Sequence, residues 1–170
     1  MPTTHSTTHA PSASNHAGER HQTMNHYRRL LLMTVLSFIA MYFLMYAMID
    51  SFSSYYNNIN QAYMACLMAA AMVVIEIAVM GPMYHNRKLN AAVIALSVVV
   101  LVASWVLIRQ QGGVGDRQFL RSMIPHHSGA ILMCEQAAIR DPELQDLCTT
   151  IIAGQAEEIA QMKAILARTQ

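Results

Sequence analysis

The sequence predicts an all-α protein: three transmembrane helices followed by a C-terminal extramembrane helical hairpin. Three observations predict it. Of 170 residues, 54% are hydrophobic and only 12% are charged, the profile of a small membrane protein with one modest polar module. Three apolar runs, at 30–49, 62–83 and 91–108, are each about a bilayer long. After them, residues 116–168 alternate apolar and polar positions at helical spacing around a single turn signal, Asp141-Pro142.

Each element has its own justification. Residues 1–26 are rich in Ser, Thr, His, Ala and Pro, with almost nothing to bury, and read as a disordered tail. His5, His9, His16, His21 and His26 recur along it, either as a loose metal-catching string or as plain polar residues. Residues 27–110 form the three-helix transmembrane region. Leu30 to Ile49 is broken only by Thr34 and Ser37 and is too long for the apolar part of a cleaved leader. The polar, aromatic loop DSFSSYYNNINQ suits an interface. Gly81-Pro82 ends the second run, YHNRKLN is a short basic turn, and Trp105 closes the third. Residues 111–115, QGGVG, read as a flexible linker into the hairpin of 116–168.

Arg28, Arg29, Arg87 and Lys88 lie beside the first span and in the second loop, whereas the first loop has no Lys or Arg. That bias puts the N-terminus in the cytoplasm and the hairpin outside, in the periplasm at a bacterial inner membrane. A net charge of +1 and the lack of a basic stripe argue against a nucleic-acid partner. The partners expected are the lipid bilayer, a metal ion and a second copy of the chain.

The hairpin carries the most specific chemistry, in FLRSMIPHHSGAILMC. Met123, His126, His127 and Met133 place thioether sulfur and imidazole nitrogen at helical spacing, a donor set that suits Cu(I), or silver as Ag(I), better than a hard ion. By the same spacing Met123 and Ile124 are ordinary core. Pro125 either starts a helix or breaks the ladder and frees a carbonyl. If Glu143 to Leu166 folds back antiparallel, residues whose numbers sum to about 282 face each other. Cys134 then meets Cys148 and His127 meets Gln155, while Met123 lies near Glu158 with Met162 a turn away. Gln155 and Glu158 are candidate partners that orient the imidazoles. Cys134 and Cys148 are a candidate disulfide, stapling a small core on an oxidising side; thiolate ligation is the rival.

Those residues carry a resemblance. DRQFLRSMIPHHSGAILMCEQA and DPELQDLCTTIIAGQAEEIAQMKAIL resemble domain-of-unknown-function family 305, whose CopM-like members bind copper, and MYFLMYAMID with NQAYMACLM resembles its membrane-anchored branch. The resemblance implies a ferritin-like helical fold and copper ligation by Met123, His126, His127, Met133 and Met162. One helical pair is half of a four-helix unit, so a dimer would complete it.

Methionine rows also run through the spans: Met41, Met45 and Met48 in the first, and Met64, Met68 and Met72, continued by Glu76, in the second. Methionine packs helices well, so the rows are either packing or a metal path. Glu76 is either an ion relay or a helix-to-helix hydrogen bond. The function expected is a membrane-anchored protein that sequesters or hands on Cu(I) at the periplasmic face. The alternatives are a structural or interaction protein without metal, and copper transport through the spans. No Glu-x-x-His, Ser-His-Asp set or phosphate loop supports an enzyme.

Overall fold

A backbone in apolar surroundings must satisfy its own polar groups, and the helix does so within one segment. The computed structural model describes the backbone of residues 13–169 and the side chains of residues 25–169, and every regular element is helical. α1 is Ala13–Leu44, α2 Ile59–Val79, α3 Arg87–Gln110, α4 Asp116–Gln136 and α5 Pro142–Arg168. The three apolar helices, α1 to α3, are each long and apolar enough to cross a bilayer.

The first helix begins earlier than composition suggested. Residues 13–26, expected as part of a disordered tail, are continuous with α1; once the apolar segment nucleates a helix, extending it costs little. Residues 1–12, with His5 and His9, lie outside the described residues. α1 tightens into a 3-10 turn at Met45–Met48, a common way for a helix to end. α2 starts at Ile59, where the Asn58 side chain accepts from the backbone N–H of Gln61 (2.8 Å), and stops before Gly81-Pro82.

α2 is the middle helix, packed on both α1 and α3. Its buried positions are Ala65, Ala69, Ala70, Val73 and Ile77, and those of α3 are Ser97 and Ser104. Small side chains let the backbones approach, so these seams rest on close packing rather than large apolar residues. At the end of α2 nearest residues 80–86, Tyr27 donates to Asn90 Oδ1 (2.5 Å), Asn90 donates to the Tyr84 carbonyl (2.8 Å), and Tyr84 donates to Glu76 (3.4 Å). The Glu76 bond runs to the turn that follows its own helix, not to another helix.

At the other end, α4 and α5 form the antiparallel hairpin around Leu120, Ile124, Ile131, Ile159, Met162 and Leu166. Pro125 lies inside α4 rather than at its start. The five residues 111–115 are a held turn, not a flexible linker. Gln111 takes the left-handed conformation (φ 50°) and caps α3. Tyr63 donates to the Gly112 carbonyl (2.9 Å), and Asn60 donates to the Gln111 side chain (2.9 Å).

The loop between α1 and α2 is docked on the hairpin. Ser128 Oγ accepts from the Asp50 backbone N–H (2.8 Å) and donates to the Asp50 carboxylate. Gln118 accepts from Ile59 N–H (3.1 Å), Asn60 donates to Ser122 (3.2 Å), and Tyr56 packs on the hairpin core. Ser128 and Gly129 are both buried there. A Cβ on Gly129 would lie 3.3 Å from the Met48 carbonyl oxygen, so even a methyl group would make the loop give by a few tenths of an ångström, and a larger side chain would lift it. Gly129→Leu should lift the loop and destabilise the fold by about 1–3 kcal/mol. The check is amide exchange: residues 48–54 should lose protection in the variant while α2 and α3 keep theirs.

Candidate metal-binding hairpin

The helix pair sets the height of each donor. α4 rises about 1.5 Å per residue, so Met123 and Met133 lie about 15 Å apart along the axis, and one ion cannot touch both. Met162 is 9% exposed and belongs to the hairpin core, and Met123, half-buried, packs against the same cluster. Their thioethers are committed to packing. Met133 is 59% exposed, next to the disulfide end. The five expected metal ligands are therefore not gathered at one level. Among the described residues, no three His, Cys, Asp or Glu side chains form a metal-holding group.

What is assembled centres on His127. Its Nδ1 lies 2.9 Å from the Met123 carbonyl oxygen. A carbonyl only accepts, so Nδ1 carries the proton and donates. That bond fixes the ring and turns Nε2 outward, 2.8 Å from Glu158 Oε2. A metal ion on Nε2 would have to push the exposed Glu158 aside. Glu158 therefore takes the orienting place expected for it. Gln155 makes no side-chain hydrogen bond among the described residues, and the facing of His127 with Gln155 is corrected to Glu158. The shift arises because adjacent residues on a helix diverge by about 100°, and the pairing rule fixes height but not direction. His126 is exposed, with its ring centroid 6.1 Å from that of His127.

At the far end of the hairpin the disulfide expectation matches the structure: Cys134 and Cys148 are bonded, with α-carbons 5.3 Å apart. Cys66, in α2, is free.

The methionine rows separate. Met64 is 40% exposed on α2, and Met68 and Met72 are half-buried. Glu76 lies within the last turn of α2, at the end opposite the hairpin. Met41, Met45 and Met48 run down the end of α1 and its 3-10 turn, and the backbone of Met48 arrives at Gly129. Sequence reasoning missed the docking residues Asp50, Ser128 and Gly129. The signal was Ser-Gly inside an amphipathic helix, which marks close backbone approach.

Asp50 carries the electrostatics of that junction. Burial pushes its carboxyl up, but hydrogen bonds from Ser128, Ser51 and Ser54 outweigh burial and hold it below the usual carboxylate value.

Fold and site together define an all-helical chain in which three apolar helices carry a disulfide-closed hairpin bearing a histidine pair. Residues 106–166 match the family described as Domain of unknown function (DUF305). The chain is also 34% identical over 140 residues to the uncharacterized protein L153 of Acanthamoeba polyphaga mimivirus, covering 81% of this chain and 90% of that protein. It belongs to this family. The likeness to the viral protein extends beyond the hairpin into the apolar helices. No solved structure matches the chain.

Two outcomes follow from this geometry. Because the Asp50 carboxyl sits below its ordinary value in the folded state, its contribution is fully present above the unfolded value, about 4, and is lost as pH falls through the folded one. Acid titration monitored by exchange at 48–54 should release the loop below about pH 4; Asp50→Asn should flatten that step. Reducing Cys134–Cys148, separated by 14 residues, should cost the hairpin about 3 kcal/mol, read as a lower unfolding midpoint in denaturant with dithiothreitol present.

Proposed function

We propose that this protein is a membrane-anchored binder of soft monovalent metal, Cu(I) with Ag(I) as its analogue, that sequesters the ion or hands it on. The ion is cargo rather than a catalytic cofactor. The anchor is the three apolar spans Asn25–Met48, Ile59–Val79 and Arg87–Gln110: at 24, 21 and 24 residues, each is about 31–36 Å long, against about 30 Å of hydrocarbon. Loop 45–58 and the hairpin share one side, which we assign to the non-cytoplasmic face, the periplasm if the cell is bacterial. The basic residues 28, 29, 87 and 88 mark the opposite side, and the Cys134–Cys148 bond suits an oxidising compartment.

One observation carries the metal reading. The His127 Nδ1–H bond to the Met123 carbonyl is the arrangement that typically orients a metal-ligating imidazole. His127, 12% exposed, meets Glu158 through Nε2, and the exposed His126 lies beside it with ring centroids 6.1 Å apart, so an ion that displaced Glu158 would have a second imidazole nearby. The family likeness adds to this reading at the positions His126 and His127. A second copy of the hairpin would supply the other half of a ferritin-like four-helix unit. A non-metal, structural reading has its own observation: His127 is satisfied by Glu158 without an ion. Metal content of protein purified with and without added copper separates the two.

For full-length protein in detergent, His126→Ala/His127→Ala should weaken Cu(I) binding at least about tenfold, the scale on which even outer partners of a metal ligand act. The measurement is competition against a colorimetric Cu(I) chelator, and an unchanged affinity removes the metal reading.

A further inference from the structure

Contacts along α4 fix how it lies relative to the ends of the apolar spans. Tyr27 of α1 and Asn90 of α3 share a hydrogen bond (2.5 Å), which sets them close to one level. From there Met48 and Gln110 are each about twenty residues on, about 30 Å along their own helices. The first and third spans therefore end at one height. α4 joins those two ends. It leaves α3 through the held turn at 111–115 and passes over the start of α2. There Gln118 accepts from Ile59 N–H (3.1 Å) and Ser122 accepts from Asn60 (3.2 Å). It then meets the end of α1 at Gly129, where a Cβ would lie 3.3 Å from the Met48 carbonyl oxygen. An upright α4 would carry Gly129 about 20 Å above Asp116. Gly129 instead stays at the end of a span, so α4 runs across the three helix ends.

The other elements leave one flank of α4 open. Leu120, Ile124 and Ile131 pack with α5, away from the span ends, so α5 is the outer layer. The loop between α1 and α2 takes the flank marked by Ser128. The remaining flank carries Phe119, His126 and Met133, spaced seven apart in one stripe. Phe119 is 50% and Met133 59% exposed, and they are the large apolar side chains that α4 leaves exposed. Each member of the stripe is three or four residues from Ser122 or Gly129, the positions that touch the span ends, and so adjoins them on the helix surface. The layer beyond the hydrocarbon is about 5–7 Å deep on each side, and a helix is about 10 Å across. A helix resting on the span ends fills that layer. Because α2 stands between α1 and α3 in a single row, the open flank overhangs lipid.

We infer that α4 is a membrane-surface helix whose Phe119–His126–Met133 flank seats in the bilayer at the boundary of headgroups and acyl chains. The inference rests on the anchor reading above, and its partner is the lipid itself. Aromatic and thioether side chains suit that boundary, and an imidazole between them keeps its polar edge toward the headgroups. The stripe continues the lipid-facing surface of α3, where Trp105 is exposed about one turn before the span ends.

The test uses full-length protein in lipid nanodiscs, with tryptophan emission compared in brominated and unbrominated phosphatidylcholine. In wild type the single Trp105 reports the spans. Phe119→Trp and Met133→Trp, each made in a Trp105→Phe background, report the stripe. Ala164→Trp in the same background reports the outer face of α5, since Ala164 is exposed and two positions from both Met162 and Leu166 of the core. Brominated lipid should quench Phe119→Trp and Met133→Trp about as strongly as Trp105, with emission shifted to the blue, and should leave Ala164→Trp bright. Unchanged thermal melting of the variants shows that the fold is intact. If both stripe tryptophans stay as bright as Ala164→Trp while Trp105 is quenched, the flank faces water or a second copy of the hairpin; this inference then falls and the anchor stands. If Trp105 itself is not quenched, the anchor reading falls, and this inference with it.

Discussion

Everything near the hairpin depends on a close approach: the backbone of Met48 to Asp50 lying on Ser128 and Gly129. A helix surface ordinarily holds a neighbouring chain at side-chain distance. Here one position has no side chain and the one before it has only a hydroxyl, so the loop comes into backbone contact. Ser128 turns that contact into a specific one by accepting from Asp50 N–H and donating to its carboxylate. The same serine helps to hold the Asp50 carboxyl ionised against burial. Removing Ser128 would take away both of these bonds and leave Asp50 without its partner on the hairpin.

The contact also explains how so small a hairpin keeps one arrangement. Its core is six buried residues, little for two helices of 21 and 27 residues. Three restraints add to it at different heights. The disulfide closes the far end, the Asp50–Ser128 contact holds the middle, and the turn at 111–115 fixes the near end through Tyr63 and Asn60. Because the near end is a held turn, α4 cannot swing freely on α3. The hairpin and the loop between α1 and α2 are thereby tied together, with the backbone of Met48 held over Gly129.

The parts legible in the sequence were those set by period and punctuation. Three charge-poor runs made the apolar helices, Asp141-Pro142 placed the hairpin turn, and antiparallel counting paired Cys134 with Cys148. Counting along a helix fixes height well. It fixes direction poorly, which is why His127 was paired with Gln155 and stands against Glu158. It is also why Met133 was grouped with Met123, although ten residues of rise separate them. Composition misjudged two further segments. Residues 13–26 extend α1 because a helix already formed propagates cheaply, and QGGVG is held by Tyr63 and Asn60, 49 and 51 positions earlier. Long-range partners of this kind leave no local trace, and Ser128-Gly129 was the one hint of them.

The position of the sulfurs decides between a hairpin that merely contains soft donors and one that can present them. A thioether in a core contributes packing, and extracting it for a metal would leave a cavity in its place. Met123 and Met162 are in that position. A thioether outside the core has no such penalty, and Met133, 59% exposed, is there. His126 shares its exposure, and His127 is anchored from behind by a carbonyl. Burial thus separates the sulfurs committed to packing, those of Met123 and Met162, from Met133, and leaves the contact of loop and helix to the buried Ser128 and Gly129.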